Sequence, residues 1–144
     1  MINRFSLKYG FLSNFYYSPM MIDDLVWETV EHYFQGMKTL IKLDREAIRV
    51  SGSPGNAKKL GRRVILRPDW EKVKYEVMYT GVKSKFQQNE EVHSLLCKTG
   101  NTFLEEGNTW HDNVWGNCSC PRCEKIEGKN ALGKTIMQIR SELC

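Results

Sequence analysis

Hydrophobic and polar residues along this chain follow two periods, and each period predicts a type of element. Near the start, Phe5, Leu7 and Tyr9 alternate with other residues, which is typical of a strand, and Gly10 ends that pattern. Further along, apolar residues recur every three or four positions, as on one face of a helix. The predicted elements are a strand over 1–9, a packed aromatic loop over 11–19, a hairpin over 20–27, helices over 30–42, 44–50, 54–60, 69–87 and 90–98, a strand over 102–105 and a helix over 132–143.

Residues that favour helix starts support most of these boundaries. Thr29 is the predicted N-cap of the first helix, and Asp44 and Asp69 are the predicted caps of the second and the fourth. Ser53 followed by Pro54 fits an N-cap and the first position of the third helix, because proline there lacks only an amide hydrogen that would have no helical partner. The positions of these residues therefore agree with the hydrophobic period.

Turn and loop residues complete the outline. Asp23 and Asp24 are expected at the hairpin turn, because aspartate side chains bond to turn backbone, and Gly100 is expected to cap the end of the 90–98 helix. The loop before the last helix runs for about 25 residues, and loops that long inside a domain are often functional. We therefore predict a single, mostly helical α+β domain over residues 1–144, with a few short strands.

Composition places few limits on function. The 144 residues are 41% hydrophobic, which is enough for one domain with its own core. A net charge of +4 and a pI near 8.8 fit a protein that handles phosphates or nucleic acid, and they fit an enzyme for neutral ligands equally well. No apolar stretch approaches the roughly 20 residues of a membrane span, and the N-terminus lacks a signal-peptide pattern. We expect no membrane association and a cytoplasmic location.

The cysteines are odd in number, and without other signs of secretion they are expected to be reduced thiols. They are Cys97, Cys118, Cys120, Cys123 and Cys144. The middle three are close enough in sequence to converge on zinc, but a closed zinc site takes four ligands and this cluster offers three. His111 is the nearest candidate for the fourth ligand, and the two outer cysteines are alternatives. A loop without metal is the preferred interpretation.

The start of the first predicted helix combines several reactive groups. Residues 29–35 carry a carboxylate on Glu31, an imidazole on His32 and an amide on Gln35. The first helical turn favours a negative charge, so capping is the ordinary explanation of Glu31, and a role in catalysis is the alternative. His32 is interpreted as a structural hydrogen-bonding residue. Other segments that mix polar and aromatic residues, and that together suggest an enzyme pocket lined by tryptophan, are 10–15, 67–70 and 112–116.

These segments, in their order along the chain, resemble the NADAR family, also called YbiA-like. The resemblance covers nearly the whole chain, and the ordered set is far more specific than any single motif. It rests on FLSNF at 11–15, Trp27, TVEHYFQ at 29–35, SP at 53–54, KLGR at 59–62, RPDW at 67–70, VM at 77–78, KF at 85–86, TG at 99–100, Asp112, WG at 115–116 and GKNALG at 128–133.

The resemblance implies an N-glycosidase that cleaves a bond between a ribose anomeric carbon and nitrogen. By this resemblance, two activities are expected from the family. Some members act on phosphoribosylamino-pyrimidine intermediates of riboflavin synthesis, and others remove ADP-ribose from guanine, including guanine in nucleic acid. In either reaction the sugar becomes cationic while the base gains electrons, so the site needs a negative charge near the sugar and a proton donor near the base. The implied partners are an ADP-ribosylated guanine nucleotide or nucleic acid, or a small phosphoribosyl metabolite, and pairing with an ADP-ribosyltransferase is a further expectation.

The resemblance also implies roles for individual residues. Glu31 is the candidate catalytic carboxylate, and Asp112 is the candidate second carboxylate, which activates water or binds ribose hydroxyls. No metal or other cofactor is implied by this chemistry, and zinc at the cysteine cluster is not part of it. The candidate substrate-binding residues are Asn14, Lys38, Arg62, Trp70, Lys85, Trp115, Gly116 and Asn130.

Two departures from the family pattern concern the substrate. Members linked to riboflavin often carry aspartate after Trp-Gly, where this chain has Asn117, and the segment with three cysteines separates the chain from the shortest members. We expect the ADP-ribosyl substrate and keep two alternatives, cleavage of the pyrimidine intermediate and binding of an ADP-ribose nucleotide without cleavage. A zinc-stabilised nucleic-acid adaptor is a more distant alternative.

Overall fold

The computed structural model describes residues 1–144 and shows a mainly helical α+β protein, as predicted. No helix is both long enough and apolar enough to cross a membrane. The α-helices are α1 (Val30–Gly36), α2 (Lys42–Arg49), α3 (Pro54–Gly61), α4 (Trp70–Gln88), α5 (Glu90–Lys98) and α6 (Ala131–Leu143), the short 3-10 helices are Leu7–Leu12 and Pro121–Cys123, and the strands are β1 (Met20–Ile22), β2 (Leu25–Trp27), β3 (Gly107–Asn108) and β4 (Asn117–Cys118).

The chain divides into two compact units. Unit 1 consists of Met1–Ser13 and Glu91–Cys144, and unit 2 consists of Asn14–Glu90. Unit 1 therefore joins the start of the chain to its C-terminal third, and unit 2 is continuous in sequence.

Helix α1 is the centre of unit 2. All of its residues are buried, and it packs against α2, α3 and α4. Close packing requires glycine at two positions, because a Cβ on Gly81 would lie 2.9 Å from the Tyr33 ring and one on Gly36 would lie 2.7 Å from Trp27. The predicted cap is confirmed, since the Thr29 hydroxyl accepts a hydrogen bond from the amide of His32. The reactive segment of the sequence thus lies inside the unit rather than on its surface.

The predicted hairpin is also confirmed. Strands β1 and β2 pair antiparallel, with Met20 opposite Trp27. Both turn residues have positive φ, 52° at Asp23 and 65° at Asp24, as a two-residue hairpin turn with the favoured twist requires. The hairpin is joined to α4 by Gln88, whose side chain bonds to the backbone nitrogen and oxygen of Met21.

In unit 1, the start of the chain pairs with the segment that follows α5. A parallel bridge links Ile2 to Leu104, and β3 pairs in parallel with β4 inside the long loop. The predicted strand over 102–105 is thus reduced to a single bridge. The predicted end of α5 is confirmed, because Gly100 has a φ of 58°.

The predicted strand over 1–9 is wrong. Apart from the bridge at Ile2, this segment contains a 3-10 helix at Leu7–Leu12, and Gly10 lies inside that helix instead of ending a strand. Leu7 has a φ of 54° and is 97% exposed, so the alternation of apolar residues there does not define a buried face. Too few neighbouring strands are present to pair with an extended segment.

Helix α1 is shorter than predicted, because it ends at Gly36 instead of near residue 42. The Arg45 side chain donates hydrogen bonds to the backbone oxygens of Gly36 and Thr39, and so satisfies carbonyls that a longer helix would have used. Helix α2 starts after Ile41, which places Asp44 in its first turn and not at its cap.

Two side chains in and next to α4 have unexpected environments. Asp69 is the N-cap residue, as predicted, but its carboxylate pairs with the guanidinium of Arg67 and makes no capping bond. Lys85, a candidate substrate-binding residue, is 1% exposed. Its ammonium lies 5.6 Å from the centre of the Tyr16 ring and 4.9 Å from that of the Phe86 ring, distances at which a cation and an aromatic face attract each other.

The expectation of five reduced thiols is also wrong, because Cys97 and Cys144 form a disulfide. It connects the end of α5 to the last residue of the chain. Cys118, Cys120 and Cys123 are free.

Candidate functional site

The carboxyl group of Glu31 is the most unusual group in unit 2. The residue is 7% exposed, and its carboxylate accepts a hydrogen bond of 2.8 Å from the side-chain nitrogen Nε2 of Gln35. Burial raises the pKa of Glu31 above its ordinary value, while the bond from Gln35 and the positive charges of Lys58 and Lys38 oppose that rise. A buried carboxyl group with a perturbed pKa is a candidate for a functional role.

Gln35 holds Glu31 in position from the next turn of the same helix. It is buried, and its amide oxygen has no hydrogen-bond partner in unit 2 or elsewhere in the chain. A buried acceptor without a partner is costly, and in a binding site it can receive a bond from a ligand hydroxyl or amine. Gly61 of α3 makes room for this amide, because a Cβ on Gly61 would lie 1.9 Å from the Gln35 oxygen.

Two cations, Lys58 and Lys38, act on this carboxyl, and Arg62 acts on Lys38; we call Lys38, Lys58 and Arg62 the basic group. Lys58 and Lys38 both act on the charge of Glu31. The pKa of Lys38 is lowered chiefly by burial, with further lowering by the charges of Lys58 and Arg62, and Glu31 opposes these effects. Lys38 is repelled by the other two cations and only one carboxylate offsets their charge, so the group has a local excess of positive charge. Such an excess favours a negatively charged ligand such as a phosphate.

We expect Gly61→Ala to impair the site without removing any reactive group. The new methyl displaces the Gln35 amide, so Glu31 loses its hydrogen bond, and turnover falls by about 10- to 100-fold if that bond to a charged group is worth its usual 1.5–3 kcal/mol. Steady-state kinetics measure the change.

Gly55→Ala is the matched control for this variant. It adds the same methyl to the same helix, where the nearest atom, the Ser53 hydroxyl, lies 3.9 Å away. Equal activity of the two variants would show that Gln35 does not position Glu31.

His32 follows Glu31 but has a structural role, as predicted. Its Nδ1 lies 2.8 Å from the Thr29 hydroxyl, and its Nε2 lies 2.9 Å from the backbone oxygen of Ser51. The ring is fully buried. Because both nitrogens already have partners, the imidazole connects the start of α1 to the segment after α2.

Among the other predicted binding residues of unit 2, Asn14 lies beside Glu31. Its backbone oxygen accepts a bond from the amide of Glu31, and its side-chain nitrogen donates to the sulfur of Met78. Trp70 is 6% exposed and packs edge-on against Phe34, which favours a role in the core over base stacking. Lys85 is buried as well, whereas the residues of the basic group are at least partly exposed.

In unit 1, Asp112 organises the loop before α6. Its Oδ1 accepts bonds from the backbone amides of Val114 and Trp115, and its own amide donates to Asn108. The backbone oxygens of Val114 and Trp115 in turn accept bonds from the first amides of α6. This carboxylate therefore has a structural task, and its predicted catalytic role stays a prediction.

Two other predicted residues of unit 1 have clear structural roles. Gly116 leaves no room for a side chain, because a Cβ there would lie 2.2 Å from the backbone oxygen of Glu106. Asn130 is buried at the cap of α6, with its oxygen bonded to the amide of Glu106 and its nitrogen to the oxygen of Leu104. Its amide is thus occupied by backbone, which argues against substrate binding. Trp115 is half-buried in the same loop.

Sequence reasoning did not assign roles to Gln35 and Lys58. For Gln35 a signal was present, since residues four apart on a helix lie side by side and glutamate is at position 31. For Lys58 no comparable signal existed, because its approach to Glu31 depends on the packing of α3 against α1.

Comparison with known proteins agrees with these observations. The NADAR domain family matches residues 3–144. The N-glycosidase YbiA of Escherichia coli (strain K12) is 39% identical over 99% of this chain and 88% of its own length. The riboflavin biosynthesis protein PYRR of Zea mays is 34% identical over 94% of this chain, which corresponds to 23% of that longer protein.

A solved structure gives the same result at the level of the fold. The NMR structure of the E. coli protein YbiA superposes with a TM-score of 0.83 at 37% identity, over 99% of this chain and 86% of that one. The sequence match and the superposition both cover nearly the whole chain. The chain therefore belongs to the NADAR family, and it is an N-glycosidase, a hydrolase of N-glycosyl compounds.

Proposed function

We propose that this enzyme removes ADP-ribose from guanine, in a nucleotide or in nucleic acid, by hydrolysis of the ribose C1–N bond. The observation that carries the proposal is the buried Glu31 carboxyl, which is held by Gln35 and acted on by Lys38 and Lys58 of the basic group. A reaction that makes this substrate must transfer ADP-ribose to guanine, so the proposal also implies an ADP-ribosyltransferase upstream.

The chemistry needs a charge that is close to the sugar and shielded from water. As the C1–N bond breaks, its electron pair leaves with the base and positive charge develops on the sugar. The ionised form of Glu31 stabilises that charge, and burial strengthens the interaction by excluding water. Water then adds its oxygen to C1, and its hydrogen replaces the lost bond on the base nitrogen. Asp112 is our candidate for activating that water or for binding ribose hydroxyls.

The basic group supports a phosphate-containing substrate. ADP-ribose carries a diphosphate, and its two negative charges match the excess left when Glu31 neutralises one of three cations. The side-chain oxygen of Gln35, which has no hydrogen-bond partner, is a candidate acceptor for a ribose hydroxyl. These residues lie on α1, on α3 and just beyond the ends of those helices, so one rigid pair of helices presents them.

A second substrate is favoured by the names of two relatives. The maize protein and a protein of Vibrio vulnificus (strain YJ016), which is 33% identical over 94% of this chain, are both named riboflavin biosynthesis proteins. A phosphoribosylamino-pyrimidine presents the same ribose C1–N bond and one phosphate. The basic group accommodates either substrate, so chemistry near the phosphate does not separate them.

Product analysis by mass spectrometry separates them. The wild type is mixed with an ADP-ribosylated guanine oligonucleotide and, separately, with the phosphoribosylamino-pyrimidine. We expect free ADP-ribose and the unmodified oligonucleotide, with a turnover that falls steeply as salt increases, because the basic group and other cations contact phosphates.

Other outcomes assign the enzyme differently. Cleavage of the pyrimidine alone would contradict the proposal and make the enzyme a hydrolase of small metabolites. Binding of ADP-ribose with no product from either substrate would indicate a module that binds the nucleotide without cleaving it.

A further inference from the structure

The long loop of unit 1 brings four metal-binding side chains together. His111 Nδ1 lies 3.2 Å from the sulfur of Cys120, 3.4 Å from that of Cys123 and 3.9 Å from that of Cys118. All four donor atoms lie within 4.8 Å of one another. His111 precedes Asp112, Cys118 lies in β4, and Cys120 and Cys123 lie at the start and the end of the short 3-10 helix, so the loop must fold back to bring His111 to the cysteines.

The distances match those of a tetrahedral zinc site. Zinc binds cysteine sulfur at about 2.3 Å and histidine nitrogen at about 2.0–2.1 Å, and the tetrahedral angle then places nitrogen about 3.5 Å from each sulfur. The three observed distances lie on both sides of that value. One ion at the centre of the four atoms would therefore need only small movements of side chains.

Hydrogen bonding alone does not account for this arrangement. A neutral imidazole nitrogen has either one hydrogen or one lone pair, so Nδ1 can make one good bond and not three. A shared cation satisfies all three sulfurs and the nitrogen at once. The amide of Cys120 also points to the sulfur of Cys118, at 3.5 Å, which is the kind of backbone bond that supports a thiolate ligand.

The surrounding loop holds two of the sulfurs in place. Cys118 and Cys123 are each 4% exposed, and the amide of Cys118 donates to the side chain of Asn113. His111 is exposed and has a φ of 69°, an uncommon conformation for a non-glycine residue. Coordination would supply the energy that keeps this residue in that conformation.

We propose that His111, Cys118, Cys120 and Cys123 bind one Zn²⁺ ion in a closed structural site. Three thiolates and one imidazole fill all four positions, so no position remains for water and the ion has no part in hydrolysis. Binding through Nδ1 leaves the hydrogen on Nε2, so the exposed Arg122 side chain, 3.4 Å from that atom, turns away. The site fixes the loop on both sides of Asp112 and Trp115.

The metal content of the full-length protein tests this proposal. Protein prepared without chelators from zinc-supplemented cells is expected to contain about one zinc per chain, a count set by the four ligands. Replacement by Co²⁺ is expected to give the intense visible absorption of a tetrahedral site with thiolate ligands. The Cys120→Ser/Cys123→Ser variant should lose both signals.

A matched control removes two cysteines from elsewhere in the same unit. Cys97→Ser/Cys144→Ser eliminates the disulfide and should keep one zinc per chain, which distinguishes a specific site from general thiol binding. If the cluster variant fails to fold, titration of metal-free wild type with zinc against a chromophoric chelator gives the answer. No zinc in purified wild type and no uptake at micromolar zinc, or equal uptake by both cysteine variants, would overturn the proposal.

Discussion

Replacement of Glu31 by glutamine is expected to lower turnover by about 10²- to 10⁴-fold, the usual contribution of a positioned acid–base or charge-stabilising group. The amide has nearly the same shape as the carboxylate and can still accept the bond from Gln35. It carries no negative charge to stabilise the developing sugar cation. Single-turnover kinetics with the preferred substrate measure the loss directly.

The folded state should tolerate this change. Burial raises the pKa of Glu31, so the native protein binds a proton at this site more tightly than the unfolded chain does. Ionisation therefore costs stability, and that cost grows as pH rises from the unfolded value toward the folded one. The glutamine variant avoids the cost, and its melting temperature at neutral pH should equal or exceed that of the wild type.

Glu71→Gln is the matched control. Glu71 also lies in the first turn of a helix, α4, but it is exposed. Its replacement removes the same charge from the same type of position and should leave turnover within twofold. A Glu31→Gln variant with wild-type turnover would remove Glu31 from the mechanism.

The pH profile then reports how Glu31 acts. If the ionised form stabilises the sugar cation, as we propose, activity rises with pH through the elevated pKa of Glu31. If the protonated form donates to the departing base, activity instead falls through the same pKa. The limb of the profile that disappears in Glu31→Gln identifies the role.

The second large effect concerns stability and comes from Lys85. Burial lowers the pKa of Lys85 to about 7, so the unfolded chain binds this proton more tightly than the native protein does. Below pH 7 both states are protonated and the full cost of the buried charge is present. The cost decreases as pH rises from about 7 toward the unfolded value near 10.4, so stability increases over that window.

Lys85→Met should therefore stabilise the protein, by roughly 1–4 kcal/mol at pH 6, where the buried charge is replaced by an apolar chain of similar length. The gain over wild type should shrink as pH rises above 7, and denaturant unfolding at several pH values measures it. Lys72→Met, at an exposed position on the same helix, is the control and should show no such pH dependence. A gain for Lys85→Met that is constant from pH 6 to pH 9 would show that the buried ammonium does not titrate in this range.

Local signals predicted the elements whose ends depend on neighbouring residues. The Thr29 cap, the Ser53–Pro54 start of α3, the turn at Asp23 and Asp24 and the left-handed Gly100 are all set by backbone geometry and short-range bonds. The errors lie where distant contacts compete. Arg45 ends α1 early, and Arg67 takes the Asp69 carboxylate away from the start of α4.

The family, the mostly helical α+β class and the candidate carboxylate Glu31 could be predicted from the sequence alone, because ordered motifs, hydrophobic period and cap residues are all local properties of the chain. The environment of each group depends on tertiary packing. Lys58 acts on Glu31, Lys85 is buried and Cys97 is bonded to Cys144 through contacts between residues far apart in sequence. Charge, burial and distance arise from packing, and a one-dimensional pattern does not specify which side chains packing will bring together.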